Sequence, residues 1–154
     1  MSKKISIIII LTVLLTSCGF KKINQEKSLV YLQNIKIDGE NRIAYTLKNN
    51  MLLISDISSK NKYNAEVKIT KRKTIKIKNK SGKISRFELN ILSNLTLINI
   101  DTQKIIYRSF SISSAYDVAK NHSETISNEK NASKDAIQRL SEEISNFIIL
   151  SSTN

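Results

Sequence analysis

The chain has 154 residues, with 25 Lys and Arg against 13 Asp and Glu, a formal net charge of +12, one Cys, one His, three Gly and neither Pro nor Trp. One cysteine excludes an internal disulfide, one histidine argues against a metal centre, and three scattered glycines exclude the Gly-rich loop that cradles nucleotide phosphates. Turns must then be built from Asn, Asp and Ser, and the surplus of cations asks for an anionic partner or surface.

The N-terminus reads as a signal peptide over residues 1–17. Lys3 and Lys4 precede an apolar run from Ile5 to Leu15 broken only by Ser6 and Thr12, and small residues follow. The run falls short of the roughly 20 residues that a helix needs to cross a bilayer. Leu15-Thr16-Ser17 leads directly into Cys18 and Gly19, which resembles the lipobox of bacterial lipoproteins. The resemblance implies cleavage before Cys18, a diacylglyceryl group on its sulfur and acylation (palmitate) of the new amino end. Two or more acyl chains make such attachment stable, and Gly19, with no acid beside the cysteine, implies an outer-membrane address. The expected division is 1–17 removed, 18–28 as lipidated terminus and spacer, and 29–152 as one domain.

The spacer "GFKKINQEKS" is charged and polar. "LVYLQNIKID" then places Leu29, Tyr31, Ile35 and Ile37 on alternate positions, the period of a half-buried strand. Ile43, Leu47, Met51 and Ile54 next recur at helical spacing, with Asp38 placed to cap that helix. From Tyr63 to Lys83 alternation returns. Ala65, Val67, Ile69, Ile75 and Ile77 share one face, and Lys68, Thr70, Arg72, Thr74, Lys76 and Lys78 share the other. Lys71 and Lys73 interrupt the apolar face, so the strand either overshoots the core there or is reoriented by a bulge.

"NKSGK" forms a turn into a strand with Phe87, Leu89, Ile91, Leu95 and Leu97 inward. Asp101, Thr102 and Gln103 form a second hairpin turn, leading to a strand with Ile106, Phe110 and Ile112 inward. A helical pattern runs from Ala115 to about Leu150, with a break expected around Ser127 to Lys130. Its stripe is Ala136, Ile137, Leu140, Ile144, Phe147 and Ile148. The order β-α-β-β-β-α predicts an α+β fold: a two-layer sandwich in which a four-stranded mixed sheet carries two helices packed on one face.

No catalytic set is legible. His122 stands alone in a polar stretch, Glu142 and Glu143 are adjacent and so about 100° apart on a helix, and no nucleophile-elbow spacing surrounds a serine. Asn94, Asn121 and Asn131 each open an Asn-x-Ser/Thr triplet, as chance provides in an Asn- and Ser-rich chain. No enzyme, metal or cofactor is expected.

The feature that stands out is Lys68 to Lys83, which holds eight Lys or Arg and no acid. Strand period sends Lys68, Arg72, Lys76 and Lys78 to one face as a charged ridge, suited to phosphate groups on an anionic lipid, with Arg72 able to bind bidentately. The competing account is a solvated sheet face whose lysines discourage aggregation, in a chain whose wealth of Lys, Asn and Ile also fits AT-rich coding. Few aromatics interleave with the cations, so nucleic acid is not the expected partner.

Cys18-Gly19-Phe20, the element order, and the tail from Ser111 through Tyr116, then Ala119, Ala132, Ala136, Leu140 and Ile144, together resemble the LPS-assembly lipoprotein (LptE) family in its alphaproteobacterial form. The resemblance implies a non-enzymatic, lipid-anchored protein of the cell outer membrane, on its periplasmic or barrel-lumen side. Such a protein plugs and helps assemble the LPS-translocon β-barrel, LptD, and helps deliver lipopolysaccharide to the outer leaflet. The alternative is a free lipid-anchored periplasmic module that binds anionic glycolipid or cell-wall polymer with no barrel.

Overall fold

A computed structural model describes residues 30–153; Cys18, Leu29 and the proposed cleavage site lie outside them. The elements are β1 (Tyr31–Asp38), α1 (Asn41–Leu53), β2 (Lys62–Lys78), β3 (Ile84–Asn99), β4 (Ile105–Asp117) and α2 (His122–Ser152). Spatial strand order equals chain order, with β1 parallel to β2 and the β2–β3 and β3–β4 pairs antiparallel. The sheet is mixed because α1 carries the chain back across it, as a parallel pair requires.

Both helices bury their stripes on the same side of the sheet. Ile43, Leu47 and Met51 of α1, with Ala136, Leu140, Ile144 and Ile148 of α2, close over Ala65, Val67, Ile91, Leu95 and Leu97. Burying each Leu or Ile stabilises the fold by about 1.5–3 kcal/mol, and these residues form one continuous core. A smaller cluster of Leu89, Tyr116 and Ala132, with Phe87 against it, continues that core toward the β2–β3 hairpin tip.

Four local expectations are corrected. First, Asp38 does not cap α1: it ends β1, and Glu40 occupies the N-cap with no side-chain cap bond. Gly39 intervenes at φ 153°, and a Cβ there would meet Ile69 Cβ at 3.0 Å, so the chain must turn tightly against β2 before the helix begins. Second, the face of β1 reverses. A register shift between Leu32 and Asn34 turns Val30 and Leu32 inward while Ile35 and Ile37 keep the inward side, leaving Tyr31 half-buried.

Third, α2 starts at His122, because β4 continues its pairing with β3 as far as Asp117 opposite Arg86. Asn121 caps it, its Oδ1 accepting the Glu124 N–H at 2.7 Å while its side-chain Nδ2 donates to the Glu124 carboxylate at 3.3 Å. The helix runs unbroken to Ser152. Its polar stretch is anchored from the sheet instead: Asn128 Nδ2 donates to the Asp117 carbonyl at 3.1 Å, and Glu129 accepts the Tyr116 hydroxyl. Fourth, Ile75 and Ile77 are not core residues. They are about half exposed, in a part of β2 that overshoots the helices and shifts register twice near its end.

The turns lack proline as composition demanded. Asn79 Oδ1 accepts the N–H groups of Ser81 and Lys83 while Gly82 takes φ 80°. Asn99 Oδ1 does the same for Asp101 and Thr102, with Gln103 at φ 58°.

Candidate functional site

Because both helices occupy one side, the opposite face of the sheet has no covering layer among the described residues. Alternation sends Lys36 and Asp38 of β1, Glu66, Lys68, Thr70, Arg72 and Thr74 of β2, and their register partners on β3 and β4 to that face. It is mostly amide and hydroxyl. Ser113 Oγ donates to Asn90 Oδ1 at 2.6 Å and Asn90 Nδ2 to Thr74 Oγ1 at 3.4 Å, linking three strands; Ser109 Oγ donates to Asn94 Oδ1 at 2.8 Å. Cross-strand pairs of this kind hold the face in one arrangement.

The four cations singled out in β2 are not equivalent. Lys68 and Arg72 stand on the uncovered face, four residues or about 13 Å apart, and neither makes a side-chain hydrogen bond or ion pair with the described residues. Lys68 has Asp38 as its register neighbour on β1. Lys76 lies at the register shift between Ile75 and Ile77, and Glu88 holds its ammonium at 2.7 Å. That contact is also what pulls the Glu88 carboxyl below the usual carboxylate range. Lys78 lies beyond both shifts, at the hairpin tip, and is exposed. The run contains no acid in sequence, yet the neighbouring strands supply acids to it.

Lys71 and Lys73 fall on the helix-facing parity, past the last core layer, and each meets an acid. Lys71 pairs with Glu40 at the start of α1. Lys73 pairs with Glu129 of α2 at 2.7 Å and sits 4.3 Å from the centre of the Phe87 ring and 5.3 Å from that of Tyr116. The two rings stack, with centroids 5.6 Å apart. Hydrogen bonds from Lys73 and then Tyr116 hold the Glu129 carboxyl low, while burial, followed by the bond to Glu129, pushes the Tyr116 phenol up. The sequence marked this group only by two lysines on an apolar parity; its other members come from β3, β4 and α2. Arg86 and Asp117 form a two-bonded pair at 2.6 and 3.0 Å across β3 and β4.

His122 is exposed at the first turn of α2, and Glu142 and Glu143 face solvent. Among the described residues no group of three or more His, Cys, Asp or Glu side chains is placed to hold a metal ion, and no helix is long and apolar enough to cross a membrane.

The architecture is that of a small two-layer α+β domain with one open sheet face. The same fold occurs in the rare lipoprotein B from Shewanella oneidensis, with a TM-score of 0.62 over 79% of this chain and 97% of that one at 8% identity. It occurs also in a protein assigned as a lipoprotein from Caulobacter crescentus CB15, with a TM-score of 0.57 over 82% of this chain and 93% of that one at 16% identity. At these identities the likeness is one of fold. No family model and no curated protein sequence matches the chain.

Proposed function

We propose that this protein is an outer-membrane lipoprotein, anchored through acylated Cys18, that seats in the lumen of the LPS-translocon β-barrel LptD, assists its assembly and helps deliver lipopolysaccharide to the outer leaflet. The observation that carries the reading is the uncovered sheet face, largely polar apart from Leu92 at its centre and bearing Lys68 and Arg72, unpaired among the described residues. A polar face suits the lumen of a large barrel, which is itself polar. Unpaired cations suit the phosphates of an anionic glycolipid, and Arg72 has the fork geometry to take one bidentately. A fold shared with two proteins named as lipoproteins, one of them rare lipoprotein B, and the box Leu15 to Gly19 support the anchor.

The test is recovery of the tagged full chain from a Gram-negative envelope in mild detergent. A large β-barrel protein should accompany it in near-equal amount; its absence overturns the barrel reading. The unpaired Arg72 equally favours the second reading, a free lipid-anchored module for anionic glycolipid or wall polymer. That reading predicts salt-sensitive binding of the polyanion by the purified chain with no barrel recovered.

A further inference from the structure

One end of the domain gathers apolar side chains that no described residue covers. At this end the described chain begins: the Val30 carbonyl accepts the Asp56 N–H at 3.0 Å, and Tyr31 N–H donates to the Asn61 carbonyl at 2.8 Å. Asn61 Nδ2 reaches the Ser152 carbonyl at the end of α2 at 2.9 Å, and Ile100 N–H donates to the Lys62 carbonyl at 2.9 Å. These bonds bring the start of β1, the end of α1, the end of α2 and the β3–β4 turn to the same end.

Around it stand Leu52, Leu53 and Leu150 from the helices, Ile57 from the turn that follows α1, and Ile105 and Tyr107 from β4. Leu53 is 82% exposed, Ile57 79%, Tyr107 72% and Leu150 64%. None lies on the stripe that its element buries. Leu53 follows buried Met51 by two residues, and Leu150 follows buried Ile148 by two, which turns both about 200° away from the sheet. Lys60, Lys62 and Lys104 are exposed at the same end.

We propose that this end docks on the lipid surface to which Cys18 is anchored, with Leu53, Ile57 and Leu150 entering the interface, Tyr107 at headgroup level and the lysines against anionic phosphates. The inference rests on the lipoprotein reading. Val30 follows Cys18 by only 12 residues, a link that spans at most about 40 Å, so an acylated Cys18 keeps this end close to the bilayer. Tethering makes the contact intramolecular, and even weak insertion is then populated. Apolar and aromatic side chains flanked by lysine are the composition that the interface accepts.

The test uses the full chain with one introduced cysteine, the only free thiol once Cys18 is acylated. Leu53→Cys, Ile57→Cys and Leu150→Cys, with Ile126→Cys at the far end of α2 as the reference, carry an environment-sensitive fluorophore in vesicles of phosphatidylethanolamine and phosphatidylglycerol. Spin-labelled lipid should quench the first three several-fold more than the fourth. Equal, water-like signals at all four sites overturn the proposal. So does a signal shielded from water but unquenched by lipid, which would assign the end to a protein partner or a second copy. Mass spectrometry of the same samples separates the two claims: acylated protein with unquenched probes sinks the docking alone, and a bare Cys18 sinks both.

Discussion

The Tyr116 hydroxyl donates to the Glu129 carboxylate at 2.6 Å, joining the last strand to the helix that follows it across 13 residues of chain. Tyr116 is buried and Glu129 half-buried, so the bond is made where water competes poorly. Replacing Tyr116 by Phe keeps the stack on Phe87 and removes only the donor. It should cost about 1–2 kcal/mol, read as a lower urea midpoint at unchanged slope.

The same carboxylate makes stability depend on pH. Its folded-state value lies below the usual carboxylate range, chiefly through Lys73 and then Tyr116. The stabilisation is therefore complete above that range and is lost as pH falls through the depressed value. Lys73 and Tyr116 are both raised, so their contribution is present at neutral pH and is lost as pH rises through their folded values. Glu129→Gln should flatten the acid limb of a stability-against-pH curve. The change should be modest, because the Lys73 and Glu129 side chains are 41% and 36% exposed.

Ser93 occupies a core position between Ile69 and Phe110 in the register, is 1% exposed, and its hydroxyl has no hydrogen-bond partner among the described residues. An unmade bond in the core is a penalty the native state carries. Ser93→Ala should leave stability unchanged or raise it by up to about 1 kcal/mol, whereas loss of stability would reveal a partner such as a buried water.

Gly39→Ala should destabilise the domain by about 1–3 kcal/mol. The added methyl meets Ile69 Cβ at 3.0 Å and its carbonyl oxygen at 3.1 Å, with the backbone at φ 153°. Gly82, at φ 80° in an open turn where an added methyl would meet no described residue, should tolerate Ala better in space and bear only the backbone strain. Thermal unfolding of both variants checks the order.

Charge reversal tests the uncovered face. Lys68→Glu with Arg72→Glu should weaken binding to lipopolysaccharide vesicles by roughly tenfold, about 1.4 kcal/mol, and lessen its dependence on salt. Far-ultraviolet circular dichroism should not change, since neither side chain has a hydrogen-bond or ion-pair partner among the described residues. Lys76 is a poor choice for this test: reversing it would set two acids together at Glu88. Unchanged affinity returns the face to a solvated surface.

Element order, the mixed sheet and the one-sided packing of the helices were legible in the sequence, because hydrophobic period is a local signal and two layers with one apolar side each have one economical arrangement. Ala65, Val67, Leu95, Leu140 and Ile144 were read correctly on that ground. What period does not carry is where a strand leaves the core. Ile75 and Ile77 alternate as well as Val67 does, yet they lie past the helices and meet water. Nor could composition foretell the continuity of α2, since the Asn128 and Glu129 that interrupt its apolar stripe are held by partners on β4.

The covalent chain by itself determined the fold class, the proline-free turns and the surplus of positive charge, all of which follow from residue types and their spacing over a few positions. The tertiary structure alone decided which cations are free. Lys71, Lys73 and Lys76 meet Glu40, Glu129 and Glu88, residues distant in sequence and brought near by pairing of strands and packing of helices. Coulomb attraction falls off with distance in space, not along the chain, so a run without acids in sequence becomes, once folded, a sheet face on which Lys68 and Arg72 remain unpaired.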